Sequence, residues 1–236
     1  MRPGPIALVL IAMYAASAAA QTFAFPGPSS PYSHGGGSSP TATAKTCYTQ
    51  VSSSPITCTW SAAIASGETA ACWVTNLGST TSYGLSDSGG NTYSANGGIQ
   101  SGFGFWSELF YSHAGSAATT TTASLTGSVN FFTISCTSYT GGVGAPDGAI
   151  AYAGNTSGAG NTVNITTSTT HSLEVCFGAY ANSGSYTVDA SFTRLGGAAP
   201  SNIAGAYKQL PGYGAYSATW TPPGAAQSDL ECGGYK

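Results

Sequence analysis

The chain has 236 residues, of which 6% are charged and 42% hydrophobic, with a formal net charge of −3. Charge this sparse forms no basic stripe, which excludes a nucleic-acid-binding surface built on phosphate neutralisation. No stretch keeps helical i, i+3, i+4 spacing beyond a turn or two, which excludes a helical bundle.

Arg2 is followed by the apolar run Ile6–Ala16 and by Ser17-Ala18-Ala19-Ala20 before Gln21. That order of charge, apolar run and small residues is a secretory signal peptide over residues 1–20. The run falls short of the roughly 20 apolar residues a membrane span needs. We therefore expect a secreted or cell-surface chain with no membrane span after cleavage. Cleavage leaves Lys45, Arg194, Lys208 and Lys236 against eight acids, a net charge of about −4.

Residues 21–44 are rich in Pro, Gly and Ser and read as a flexible leader, with the folded part starting at Lys45. Within the leader, Gln21-Thr-Phe-Ala-Phe alternates like a strand and could add to a sheet edge of a neighbouring molecule.

Short runs of β-branched and aromatic residues then recur between Gly, Asn and Ser clusters. They predict strands over 46–51, 56–62, 69–76, 82–87, 91–95, 103–112, 119–126, 130–139, 161–167, 171–179, 185–194, 202–209, 215–220 and 228–235. Phe132, Ile134 and Cys136 share one face of their strand, as do Leu173, Val175 and Phe177 of theirs. The expected fold is all-β: a two-sheet antiparallel sandwich, jelly-roll-like and disulfide-stabilised, forming a single domain over 45–236. GETAACWVTNLG at 67–78 and HSLEVCFGAYANSG at 171–184 echo each other. We read them as two equivalent strands of one sheet rather than as a repeat.

Cys47, Cys58, Cys72, Cys136, Cys176 and Cys232 make an even number, which in an exported chain favours three disulfides. Six cysteines allow 15 connectivities. Our expectation is Cys47 with Cys58, Cys72 with Cys232 and Cys136 with Cys176. There is no CxxC pair, and three histidines do not complete a zinc site, so no cofactor is expected.

Asp87-Ser88-Gly89-Gly90 matches the residues around many nucleophilic serines, but upstream of Ser88 the mature chain offers only His34 as a base. It reads instead as a hairpin turn, with glycines free to take positive φ and Asp87 and Asn91 bonding back to the backbone. The same two side chains are hard oxygen donors, and a calcium ion is the one metal they could take.

Trp106, Glu108 and Phe110 share a strand face, and Glu174 lies on another strand. Glycoside hydrolysis would need two such carboxyls flanking a scissile bond, so Glu108 and Glu174 are the catalytic candidates. Tyr213 and Tyr216, between glycines, are candidates together with Trp106 for stacking on sugar rings. Asn155-Thr-Ser and Asn164-Ile-Thr fit the N-glycosylation pattern.

GETAACWVTN, LSDSGGNTY, FWSELFYSHAG, ISCTSYTGG, DGAIAYAGNTSGAGNTVNI, HSLEVCFGAY and DLECGGYK together resemble a set of uncharacterised exported bacterial β-sandwich proteins with a D-S-x-G-N-x-Y hairpin. The resemblance covers about residues 66–235. The chain departs from it in Ser138, where that family often has glutamate, and in its added cysteines. The resemblance implies a β-sandwich and export, and carries no activity with it.

These residues lead to an expectation of a non-catalytic extracellular recognition module for a glycan or a partner surface. The alternatives are a structural subunit that uses the leader for strand addition and a polysaccharide hydrolase.

Overall fold

The computed structural model describes residues 38–142, 144–195 and 202–236. The expected signal peptide, most of the expected leader and the alternating segment at 21–25 lie outside the described residues. Among the described residues no helix occurs, and fifteen strands do.

The first eight strands are β1 (Thr41–Val51), β2 (Ile56–Ile64), β3 (Thr69–Leu77), β4 (Thr80–Asp87), β5 (Ser94–Gly102), β6 (Phe105–His113), β7 (Ala118–Gly127) and β8 (Phe132–Thr140). They form one sheet ordered β1-β8-β3-β6-β5 and a facing sheet ordered β2-β7-β4. That interleaving is the jelly-roll arrangement. Period-2 alternation fills the space between the two sheets, because Cys72, Val74, Ile134, Cys136, Phe132 and Phe110 all turn toward Cys58, Trp60 and Ile56.

The remaining strands are β9 (Ala151–Asn155), β10 (Asn161–Thr167), β11 (Ser172–Ala179), β12 (Thr193–Arg194), β13 (Ile203–Leu210), β14 (Gly214–Trp220) and β15 (Ser228–Tyr235). Their sheets run β9-β15-β11-β13-β12 and β10-β14. Strand for strand, the order repeats that of the first eight, with β9 in the place of β1, β15 of β8, β11 of β3 and β13 of β6. The disulfide-stabilised antiparallel sandwich therefore occurs twice in the chain. Gly36–Lys236 nonetheless forms one compact unit, since the two large sheets pack face to face.

Their contact layer joins Ala71, Trp73, Leu109 and Tyr139 to Leu173, Val175, Phe177 and Tyr235. Trp73 stacks on Phe177 with centroids 5.9 Å apart, and Tyr139 meets Tyr235 at 5.7 Å. Trp73 follows Cys72 as Phe177 follows Cys176, and each tyrosine lies three residues beyond Cys136 or Cys232. Equivalent positions thus meet each other, the mark of an isologous contact about a two-fold axis.

The duplication corrects three expectations. The echoed segments are not strands of one sheet: β3 and β11 occupy the same central place in two different sheets. The cysteine pairs are Cys47–Cys58, as expected, but then Cys72–Cys136 and Cys176–Cys232. Cys72 lies directly opposite Cys136 in the β3–β8 ladder, and Cys176 opposite Cys232 in the β11–β15 ladder. Each pair has a Cα separation of 4.1 Å, the close approach of a pair without mutual ladder hydrogen bonds. The folded chain also begins before Lys45, because Thr41 and Ala42 already pair with Thr140 and Tyr139 ahead of a bulge that ends at Thr46.

Elsewhere the strand expectations hold closely, except that the strand expected over 91–95 lies at Ser94–Gly102. β9 was not anticipated, and 185–194 keeps only β12 and an isolated Thr187–Thr221 bridge.

Candidate functional site

The Asp87 turn closes on itself. Oδ1 of Asp87 accepts from the N–H of Gly89 at 2.9 Å and of Asn91 at 3.0 Å. Oδ2 accepts from Asn91 Nδ2 at 2.9 Å and from the Tyr93 hydroxyl at 3.2 Å. Gly90 takes φ +73°, the left-handed conformation the turn requires. Ser88 Oγ accepts from the Thr119 N–H at 2.8 Å and tethers the turn to β7. Among the described residues no histidine bonds to Ser88. The DSGGN segment is therefore a hairpin clamp, with both carboxylate oxygens of Asp87 already occupied.

Glu108 and Glu174 are not brought together. Glu108, opposite Val74 in the β3–β6 ladder, turns toward the first sandwich's core, and burial pushes its carboxyl up to about 7. Glu174 turns into the second sandwich, where its Oε1 lies 3.8 Å from the Cys176 sulfur. Burial raises it to about 7 against the opposing pull of Lys208, whose Nζ instead sits 5.5 Å from the Phe192 ring centroid. Two carboxyls flanking one bond are not formed by this pair.

Two carboxyls that drew no attention in the sequence do converge. Asp229 and Glu231 alternate with Leu230 and Cys232, so they leave the second core and point into the layer between the sandwiches. Glu231 accepts from Trp73 Nε1 at 2.9 Å, and Asp229 from the Ala179 N–H at 2.7 Å. Both are fully buried, and burial pushes each up to about 8. Among the described residues neither is paired with a lysine or arginine, so protonation is what removes their charge. Asp147 is the opposite case. Against the burial that would raise it, the hydroxyls of Ser168, Ser172 and Thr169 hold its carboxyl well below the usual range.

With these acids inside, none of the eight is fully exposed. The outer face of the β2-β7-β4 sheet is left to hydroxyls: Thr57 and Thr59 on β2, Thr120, Thr122 and Ser124 on β7, and Ser82 and Ser86 on β4. The outer face of the β10-β14 sheet presents Thr162, Asn164 and Thr166 beside Ser217 and Thr219. Each sheet carries a threonine rung with hydroxyls 2.8 Å apart, Thr57–Thr122 in one and Thr162–Thr219 in the other. The alternation in ITCTW, ATTTTASLT and NTVNITT is the sequence signal for these faces.

The aromatic candidates separate. Tyr213 is 75% exposed just ahead of β14. Tyr216 packs against the second core and donates its hydroxyl to the Gly212 carbonyl at 2.7 Å. Trp106 is half-buried on β6 of the other sandwich, and its carbonyl accepts from the Tyr83 hydroxyl. Tyr213 alone remains as an exposed ring. Phe103 joins it as a second, 49% exposed in the β5–β6 turn with φ +52°. Among the described residues no helix is long and apolar enough to cross a membrane.

Comparison with family models, with curated proteins and with solved structures returns no match to this chain.

Proposed function

We propose that this is an exported, non-catalytic binding protein that recognises a neutral, hydroxyl-rich polymer, a polysaccharide, through the outer faces of its two sandwiches. The observation that carries the reading is the pair of uncharged hydroxyl faces, Thr57, Thr59, Thr120 and Thr122 on one side and Thr162, Asn164, Ser217 and Thr219 on the other. Hydroxyl and amide side chains on a stiff sheet exchange hydrogen bonds with sugar hydroxyls without desolvating a charge, and an exposed tyrosine ring at the margin adds a stacking surface. Three disulfides agree with an oxidising compartment, as does the resemblance of the sequence to exported sandwich proteins.

The test is a pull-down of the purified, oxidised protein on insoluble neutral polysaccharides such as cellulose and chitin, with soluble products assayed in the same tubes. Saturable binding without product release is expected, weakened by Thr122→Lys and by Tyr213→Ala and unchanged by a calcium chelator. Failure to bind any neutral polymer, or product release that Glu108→Gln abolishes, would overturn the reading.

A further inference from the structure

The two sandwiches differ in one lane. In the first, β7 is hydrogen-bonded on both sides, to β2 and to β4, with the β4 ladder running from Gly127 to Thr121. In the second, β14 has β10 on one side, and on the other the β4 position is reduced to a single rung. Thr187 and Thr221 exchange both bonds there, at 2.8 and 2.9 Å. Beyond that rung the chain turns away, with Phe192 N–H donating to the Asp189 carbonyl at 3.0 Å. Backbone groups alternate sides along a strand, so Ala215, Ser217 and Thr219 direct their N–H and C=O to the side that Thr221 uses. Among the described residues no strand pairs with them there.

An unpaired strand edge recruits another strand unless it is short, bulged, charged or covered. Every other sheet edge has such a device. β1 has a bulge between Ala42 and Thr46, with Lys45 inside it, and β5 has one between Asn96 and Gln100. β2 and β4 each carry a register shift. β12 has two residues and β9 five. β10 is flanked by the Asn155–Asn161 contact at one end and by Gly148 against the Thr166 carbonyl at the other. β10 is as long, straight and uncharged as β14, but β9 packs beside it. Among the described residues β14 alone joins these features to an uncovered side.

We propose that β14 is a dimerisation edge, and that its occupant is β14 of a second copy of this chain, paired antiparallel about an axis at Ser217. Ser217 then faces Ser217 of the second copy, and Ala215 faces Thr219. Three features favour a second copy over an unrelated strand. The edge is self-complementary in this register. Its outward side chains Ala215, Ser217 and Thr219 are small and uncharged, so two copies meet without like-charge repulsion. Among the described residues β14 is the one uncovered edge of this kind, so the contact closes at two copies instead of growing into a fibre. The two β10-β14 sheets become one continuous sheet, with both copies' hydroxyl faces on it. This inference rests on the ladder and is independent of what the faces bind.

The test is analytical ultracentrifugation of the full mature protein over a wide concentration range, with hydrogen exchange read at single amides. A concentration-dependent dimer is expected, with the amides of residues 215, 217 and 219 slowing as it forms. Ser217→Lys places two cations opposite each other and Ser217→Pro removes an N–H on the side that no described strand pairs. Each should weaken the dimer by about tenfold or more, while circular dichroism and the Tm stay near those of the parent. Ser61→Lys, on the far sandwich, should leave it unchanged. A protein that stays monomeric at every concentration overturns the proposal, as does a dimer indifferent to both Ser217 variants. A dimer lost on deleting residues 21–37 but not in Ser217→Lys would identify the leader as the occupant and overturn it too.

Discussion

Trp73 and Phe177 lie parallel, 5.9 Å between centroids and 4° between planes, and each is the residue after the cysteine at the centre of its sheet. Their stack holds one sandwich to the other. Trp73→Ala should therefore destabilise the whole unit by about 3–5 kcal/mol, the usual cost of deleting a buried aromatic ring. A double-mutant cycle with Phe177→Ala should return a coupling of about 0.5–1.5 kcal/mol. Denaturant titration of the four proteins measures both, and a coupling of zero would show that the stack adds nothing beyond area.

Stability should fall as pH rises. Asp229 and Glu231 are raised to about 8 and Glu108 and Glu174 to about 7. In the unfolded chain they ionise near 4. Between about pH 4 and 8 the unfolded chain therefore holds fewer protons than the native one, and the stability these groups supply is lost as pH climbs through their native values. Asp147 acts in reverse: its support is present above pH 4 and lost in strong acid. A Tm maximum at mildly acidic pH is expected, with a fall of about 10 °C by pH 8.5. Asp229→Asn combined with Glu231→Gln should flatten that slope, and calorimetry across pH decides it.

The disulfides should not be equal. Cys72–Cys136 and Cys176–Cys232 close loops with sequence separations of 64 and 56, against 11 for Cys47–Cys58. On chain-entropy grounds, replacing either long pair with alanines should cost about 4 kcal/mol and the short pair about 3. Mass spectrometry of a non-reducing digest checks the pairing itself, and any peptide linking Cys72 to Cys232 would refute it.

Asp87→Ala should destabilise by about 1–3 kcal/mol, because it strands the donors that its carboxylate gathers. Ser88→Ala loses one tether to β7 and should cost about 1 kcal/mol. Thermal denaturation of the two variants ranks them, and a larger loss from Ser88 would mean the turn is held differently.

The strands were legible because Gly, Asn and Ser clusters punctuate them and because faces such as Phe132, Ile134 and Cys136 alternate cleanly. The doubling was not read, although the sequence held its trace. In ACWV the residues on both faces are apolar, the pattern of a strand covered on two sides. The echo of that segment around Cys176 was the same trace seen again. Asp229 and Glu231 escaped notice because, for one sandwich, the face opposite Leu230 and Cys232 would look to water, where acids need no comment. β9 escaped because Ala-Tyr-Ala-Gly-Asn has no β-branched residue.

The pseudo-two-fold axis has a further consequence. In a true homodimer every substitution appears on both sides of the axis at once, so a tryptophan at position 73 would face its own copy. Joined in one chain, the halves can diverge. Trp73 donates its ring N–H to Glu231, while at the mirrored place Phe177 has no ring N–H to give and Ser135 stands where Glu231 would be. Covalent linkage let a symmetric contact become a directional one, with donor and acceptor on opposite halves, and freed one half to keep its outer lane closed while the other left it open.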